Sequence, residues 1–72
     1  MRLQYYPDTD SLYIDLSPIA SVDSVEISAG IVLDYDADGN LVGIDIDNAS
    51  KKIDLGEIIL SQIPARPQQV AV

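Results

Sequence analysis

The sequence predicts a mainly β fold of the α+β class: an antiparallel meander sheet of about five strands, followed by a short C-terminal helix. Five short runs alternate apolar and polar residues, which is typical of strands with one buried face. The links between them are short and rich in Asp, Gly, Ser and Pro, which favours hairpins over parallel crossovers. We predict one domain over residues 1–63. We expect residues 64–72 to be a disordered tail, because they offer little to bury.

The first two runs, residues 2–6 and 11–16, predict a hairpin whose turn is the Pro-Asp-Thr-Asp segment at residues 7–10. Proline fixes φ in such a turn, and aspartate carboxylates accept hydrogen bonds from nearby backbone N–H groups. The apolar residues of the second run face inward, so Tyr13 and Asp15 face outward.

The other three strands are predicted with unequal strength. Residues 22–27 carry the weakest alternation, and a Ser-Ala-Gly turn connects them to the next run. Residues 31–36 and 41–47 alternate clearly on either side of Asp38 and Gly39, and an Asp-Gly pair in that setting strongly favours a hairpin. In both strands three apolar residues share one face, and the aspartates share the other face with Val32 in the first strand and Leu41 in the second.

The alternation stops after the fifth run. Residues 48–52 are predicted to be a turn or a single helical turn. Asp54 and Glu57 have the spacing of a capping box, and apolar residues follow at helical intervals, so we predict a short helix over residues 54–62. Gly56 costs that helix ~1 kcal/mol relative to alanine, and the same apolar segment could equally form a sixth strand.

The size and composition exclude several kinds of protein. A chain of 72 residues buries only about 60% of the surface that its unfolded form exposes. It has no cysteine for disulfides or thiolate metal sites, and no histidine, the commonest zinc ligand and general base. We therefore expect no enzymatic activity and no cofactor. We predict a homodimer, because a second copy is the remaining source of extra burial.

The charge points away from nucleic acids. Twelve acidic residues against four basic ones give a net charge of −8, which repels phosphate backbones and anionic membranes. No apolar run approaches the ~20 residues of a membrane span. The first residues have no apolar signal-peptide core, and we expect a cytoplasmic protein. The acidity serves solubility or, in a functional interpretation, contact with a basic protein.

A divalent cation is an alternative partner. Asp34, Asp36 and Asp38 followed by Gly39 have the spacing that opens an EF-hand loop, and Ca²⁺ prefers such oxygen ligands. The flanking runs alternate like strands, however, and Asp45 stands where that loop needs a long bidentate glutamate. Turn geometry and solvated carboxylates explain these residues more simply, so weak Ca²⁺ binding through the three aspartates is kept as an alternative.

The outward-facing tyrosines and aspartates are the best candidates for binding a protein partner. Tyrosine is a large amphipathic residue that favours both sheets and interfaces. Two tyrosines face outward on the first hairpin, and the aspartates line the same predicted side of the sheet. The predicted partner-binding residues are Tyr6, Tyr13, Asp15, Asp34, Asp36, Asp45 and Asp47.

Three segments of the chain resemble a known bacterial family. They are residues 6–14 (YPDTDSLYI), residues 30–46 (GIVLDYDADGNLVGIDI) and residues 48–51 (NASK). In order and spacing they are similar to the domain of unknown function 2283, a set of short, mostly stand-alone proteins.

The resemblance implies a β-rich fold with a short C-terminal helix, and it brings no established activity and no catalytic residues. Small proteins encoded beside some members imply an antitoxin-like role. We therefore predict a small acidic protein-interaction module that acts as an antitoxin-like neutraliser of a basic partner, because a ribonuclease toxin presents a basic groove that an acidic domain can block. The alternatives are the weak cation binder and a structural, self-assembling subunit.

Overall fold

The computed structural model describes residues 1–62 and residue 64, and it confirms the predicted fold class. Five antiparallel strands form one sheet, and one short helix follows the last strand among these residues. The elements are β1 (Arg2–Tyr6), β2 (Ser11–Asp15), β3 (Asp23–Ser28), β4 (Ile31–Tyr35), β5 (Leu41–Ile46) and α1 (Ala49–Lys52).

The strand order is β1-β2-β5-β4-β3, which is meander-like but not strictly sequential. Three pairings join consecutive strands, and the fourth joins β2 to β5. Strands β2 to β5 therefore have the arrangement of a Greek key. Residues 16–22 carry the chain across three strand spacings, about 14 Å, and seven extended residues reach about 23 Å.

The core lies on one side of β1, β2 and β5. The register sets Leu12 opposite Ile46, and the exposed fractions of their side chains are only 7% and 8%. Ala49 of α1 is completely buried against them, and Leu55 also packs there. We call this side of the three strands the covered half of the sheet.

The same side of β3 and β4 is less protected. Val25 pairs with Leu33, and Val25 is 45% exposed although its side chain points to the apolar side of the sheet. Leu33 and Tyr35 are half-buried. We call this surface, defined by Val25, Leu33 and Tyr35, the bare half.

The prediction of a helix over residues 54–62 is wrong, and so is the alternative of a sixth strand. The helix lies at Ala49–Lys52, inside the segment for which a turn or one helical turn was expected. The Asp54 carboxylate accepts the backbone N–H of Gly56 at 3.0 Å, and this local turn takes the place of the capping box. Residues 57–61 have no regular structure. The tail predicted for residues 64–72 falls, apart from Pro64, outside the described residues.

Asp10, in the turn between β1 and β2, holds the start of α1. Its carbonyl accepts the backbone N–H of Ala49 at 2.8 Å, and its carboxylate accepts the backbone N–H of Ser50 at 3.1 Å and the Ser50 hydroxyl at 2.7 Å. The Tyr5 hydroxyl donates to the same carboxylate at 2.8 Å. The hydrogen bonds from Ser50 and Tyr5 lower the pKa of Asp10. Asn48 occupies the left-handed N-cap position and caps nothing with its side chain, so the acceptors come from residue 10.

No helix in residues 1–62 and 64 is long and apolar enough to cross a membrane.

Candidate interaction face

The side of the sheet opposite the core gathers most of the residues predicted to bind a partner. Register and alternation set Tyr13 opposite Asp45 there, and Asp34 opposite Gly43. We call this surface the acidic face. It includes six of the seven predicted residues: Tyr6, Tyr13, Asp15, Asp34, Asp45 and Asp47.

A hydrogen-bonded chain crosses the middle of this face. The Tyr13 hydroxyl on β2 donates to Asp34 Oδ2 on β4 at 2.7 Å, reaching over the intervening β5. The Ser24 hydroxyl on β3 donates to the other oxygen, Asp34 Oδ1, at 2.6 Å. The bond to Asp34 raises the pKa of Tyr13 to about 12, so the phenol stays a donor across the neutral range. Three strands, β2, β4 and β3, are thus tied together across β5, and the Asp34 carboxylate is held in one orientation.

Gly43 makes room for this chain. A Cβ atom at this position would overlap the Tyr13 hydroxyl and would lie 2.6 Å from Tyr13 Cζ, closer than a Cβ can approach. Glycine in a strand interior often marks a close approach of this kind. Any larger residue at position 43 would displace the tyrosine and break its bond to Asp34.

The carboxylates on this face are close enough to repel one another. Partial burial is the main cause that raises the pKa of Asp45, and the negative charges of Asp47 and Asp34 raise it further. Among the described residues the one salt bridge joins Arg2 to Asp15 at 3.8 Å, with the arginine side chain 75% exposed, and it offers little compensation. The negative charge of the face is therefore largely unbalanced by the described residues.

The two tyrosines lie at different depths. Tyr6 is 51% exposed and pairs with Ser11, whereas Tyr13 pairs with Gln4, so the two rings are diagonal neighbours on the same face. The Ser11 hydroxyl donates to the Asp47 carboxylate at 3.3 Å, which brings Asp47 to the same end of the face as Tyr6. Tyr6 is available for contact, and Tyr13 positions Asp34.

Asp36, the seventh predicted residue, is not on this face. It is 5% exposed and accepts the backbone N–H groups of Asp38 at 2.9 Å and Asn40 at 2.8 Å. These bonds lower its pKa, the one from the Asn40 backbone most. With Gly39 at φ +82, they form the turn between β4 and β5. The carboxylate of Asp36 is therefore occupied in the turn, and its role in partner binding stays a prediction.

The three aspartates of the cation alternative do not converge. Asp34 bonds on the acidic face, Asp36 bonds inside the turn, and Asp38 is exposed in the loop. No group of three acidic, histidine or cysteine residues within residues 1–62 and 64 is arranged to hold a metal ion. Cation binding stays a prediction without support from this geometry.

Sequence reasoning missed Ser24 and Gly43 as members of the site. For Gly43 a signal was available, because a lone glycine inside a strand pattern suggests close approach of another group. For Ser24 there was none, because its meeting with Asp34 depends on the register of the weakest strand.

Comparison with known proteins agrees with the resemblance. The sequence profile of the family described as protein of unknown function (DUF2283) matches residues 2–50, which include all five strands and the start of α1. Searches for similar curated proteins and similar solved structures found no match. Since the profile spans well over half of the 72 residues, the chain belongs to the DUF2283 family of proteins of unknown function.

Proposed function

We propose that this chain is a non-enzymatic protein-interaction module whose acidic face binds a basic partner protein. The observation that carries the proposal is the grouping of Asp15, Asp34, Asp45 and Asp47 on one side of the sheet, with a single exposed arginine pairing with them among the described residues. Arginine and lysine side chains of a partner would supply the missing positive charge.

The electrostatics of Asp45 support a cationic partner. Its raised pKa means that burial and its neighbours disfavour the ionised carboxylate in the free chain. A guanidinium or ammonium group inserted between Asp45 and Asp34 would reverse that effect and favour ionisation. Opposite charges also steer two proteins together, and this effect weakens as salt is added.

The Tyr13–Asp34–Ser24 chain supports binding in a second way. Two donors hold the Asp34 carboxylate before any partner arrives, so less side-chain entropy is lost on binding. Tyr6, half exposed at the rim, adds an aromatic surface of the kind enriched in interfaces. A rigid acidic centre with an aromatic neighbour suits a groove lined with arginine.

The partner class we infer is a protein with a basic, nucleic-acid-binding groove, such as a ribonuclease toxin, which the chain would neutralise as an antitoxin does. A groove that binds a phosphate backbone carries lysines and arginines at close spacing. A small sheet with a negative face would compete with RNA for those residues. The chain itself is not expected to bind nucleic acid, because its own charge is −8.

An affinity pull-down from the native host, with mass spectrometry of the proteins that co-elute, tests the proposal. One bait is the wild-type chain, and a second carries three neutralised positions on the acidic face: Asp15→Asn, Asp45→Asn and Asp47→Asn. A control bait has the same change of net charge at three exposed acids elsewhere: Asp8→Asn, Asp38→Asn and Glu57→Gln.

We expect the wild-type and control baits to recover the same basic protein and the acidic-face variant to lose it. Raising the salt concentration should release that protein from the wild-type bait, because the contact is electrostatic. Recovery by all three baits, or loss from both variants alike, would contradict binding at the acidic face. A melting temperature that rises with Ca²⁺ would instead favour cation binding, and large assemblies in size-exclusion would favour a structural subunit.

A further inference from the structure

Among the residues that the structure describes, the apolar side of the sheet is protected on the covered half and open to solvent on the bare half. Within residues 1–62 and 64 no large side chain is fully withdrawn from solvent, and the buried apolar residues are Leu12, Val42, Ile46 and Ala49. On the bare half Val25 is 45% exposed, and Ile27 at the neighbouring bulge is 60% exposed. Apolar surface left open in so small a domain is a candidate contact surface.

The distribution of charge indicates which kind of partner can cover the bare half. On the bare side of β3 and β4 the register sets one carboxylate, Asp23, which lies at the end of β3. The other carboxylates of the strands, Asp15, Glu26, Asp34 and Asp45, point to the opposite face. A basic partner is therefore drawn to the acidic face and not to this one. A second copy, with its own charge of −8, meets the least repulsion when the two bare halves face each other and the two acidic faces point away.

We propose that the bare half is the contact surface for a second copy of this chain in a two-fold symmetric dimer. In a two-fold interface the same patch is used on both subunits, and a patch of Val25, Leu33 and Tyr35 is chemically self-complementary because it consists of apolar and aromatic groups. The dimer leaves both acidic faces open, so it does not depend on the partner proposed above and would survive its failure.

Sedimentation equilibrium of the full chain tests the proposal. Val25→Glu introduces a carboxylate at the centre of the bare half, and Val25→Thr keeps the shape and the strand propensity without the charge. Gln4→Glu is the matched control: Gln4 is exposed on the other edge strand, faces the acidic side, and gains the same charge. Circular dichroism of each variant reports whether the sheet is intact.

We expect wild type and Gln4→Glu to form a dimer with similar dissociation constants. Val25→Glu should raise the constant by at least about a hundredfold, because a buried unpaired carboxylate opposes association, and Val25→Thr should raise it several-fold. A wild-type chain that is monomeric up to about 1 mM overturns the proposal. So does a dimer that tolerates Val25→Glu, or one that Gln4→Glu weakens as much.

A dilution series of the wild-type chain, followed by amide chemical shifts, gives an answer that requires no variant. Shift changes between dimer and monomer should be concentrated on β3 and β4. Changes concentrated around Tyr13 and Asp45 would put the contact on the acidic face and overturn the proposal.

Discussion

The covered half and the bare half of the sheet are built from the same kind of residue but differ in protection. Leu12 and Ile46 of the covered half are 7% and 8% exposed, whereas Val25 of the bare half is 45% exposed. The difference does not come from the direction of the side chains, because alternation places apolar residues on this side in both halves, although it is weakest in β3. It comes from α1 and Leu55, which pack on the covered half, and from the place of Val25 on the edge strand β3.

Asp10 is the reason that the cover sits where it does. Its carbonyl accepts the backbone N–H of Ala49, and its carboxylate accepts the backbone N–H of Ser50, at the start of α1. Ser50 lies 40 positions after Asp10 in the chain. A helix of four residues has no stability of its own, so its place is decided by such tertiary contacts. Alternation thus decides which side chains point to a face, and a distant polar anchor decides which part of the face is covered.

The largest expected effect is a truncation under the cover. Ile46→Ala should lower the free energy of unfolding by about 2–5 kcal/mol, because it removes buried methyl groups and leaves a cavity. Val25→Ala should lower it by less than about 1 kcal/mol, because that side chain is half in solvent already. Urea unfolding at a concentration where the chain is monomeric measures both. Equal losses at the two positions would mean that the halves are equally protected.

The second-largest loss of stability is expected when Asp10, which holds the start of α1, is replaced. Asp10→Ala removes the acceptors for Ser50 and Tyr5, and it places a side chain that disfavours the left-handed region at φ 53. We expect a loss of stability smaller than that of Ile46→Ala, together with faster hydrogen exchange at the amides of α1. Asp8→Ala, an exposed change in the same turn, is the control and should leave that exchange unaltered.

Much of the sheet could be predicted from the sequence, because period-two alternation and an Asp-Gly turn are local signals. They gave the strands, the hairpin at Gly39, and the faces to which Tyr13, Asp15, Asp34 and Asp45 point. The β2–β5 pairing and the contact of Asp10 with Ser50 were beyond reach, because each joins residues far apart in the chain. The helix was placed wrongly because Asp54 fits a local turn and a capping box equally well at sequence level.

Acidic pH should weaken the packing of α1 on the sheet, because Asp10 loses its charge. The pKa of Asp10 is lowered in the folded chain, so its contribution is present above the unfolded value of 3.8 and is lost as the pH falls through the folded value. The urea midpoint of wild type should therefore fall from about pH 5 toward about pH 2 more steeply than that of Asp10→Ala. Asp36 acts with the same sign in both proteins, and Asp45, whose pKa is raised, acts with the opposite sign. Parallel pH profiles would contradict the anchoring role of Asp10.

The smallest effect concerns the edge of the cover. Leu55→Ala should cost about 1 kcal/mol, because this side chain packs partly against the core. Ile59→Ala, four residues on at a position 72% exposed, should change stability by less than about 0.5 kcal/mol. Thermal melts of the two variants make the measurement. A larger loss at Ile59 would show that the cover extends beyond Leu55 in solution.

The central position of β5 affects the time course of folding. The strand that joins the N-terminal hairpin to the rest of the sheet is the last of the five along the chain. Until its ladder with β2 closes, the first hairpin is a two-stranded ribbon with an open edge, and such ribbons are only marginally stable in water. The rate of that one long-range closure therefore decides how long the newly made chain presents an edge on which other chains can aggregate.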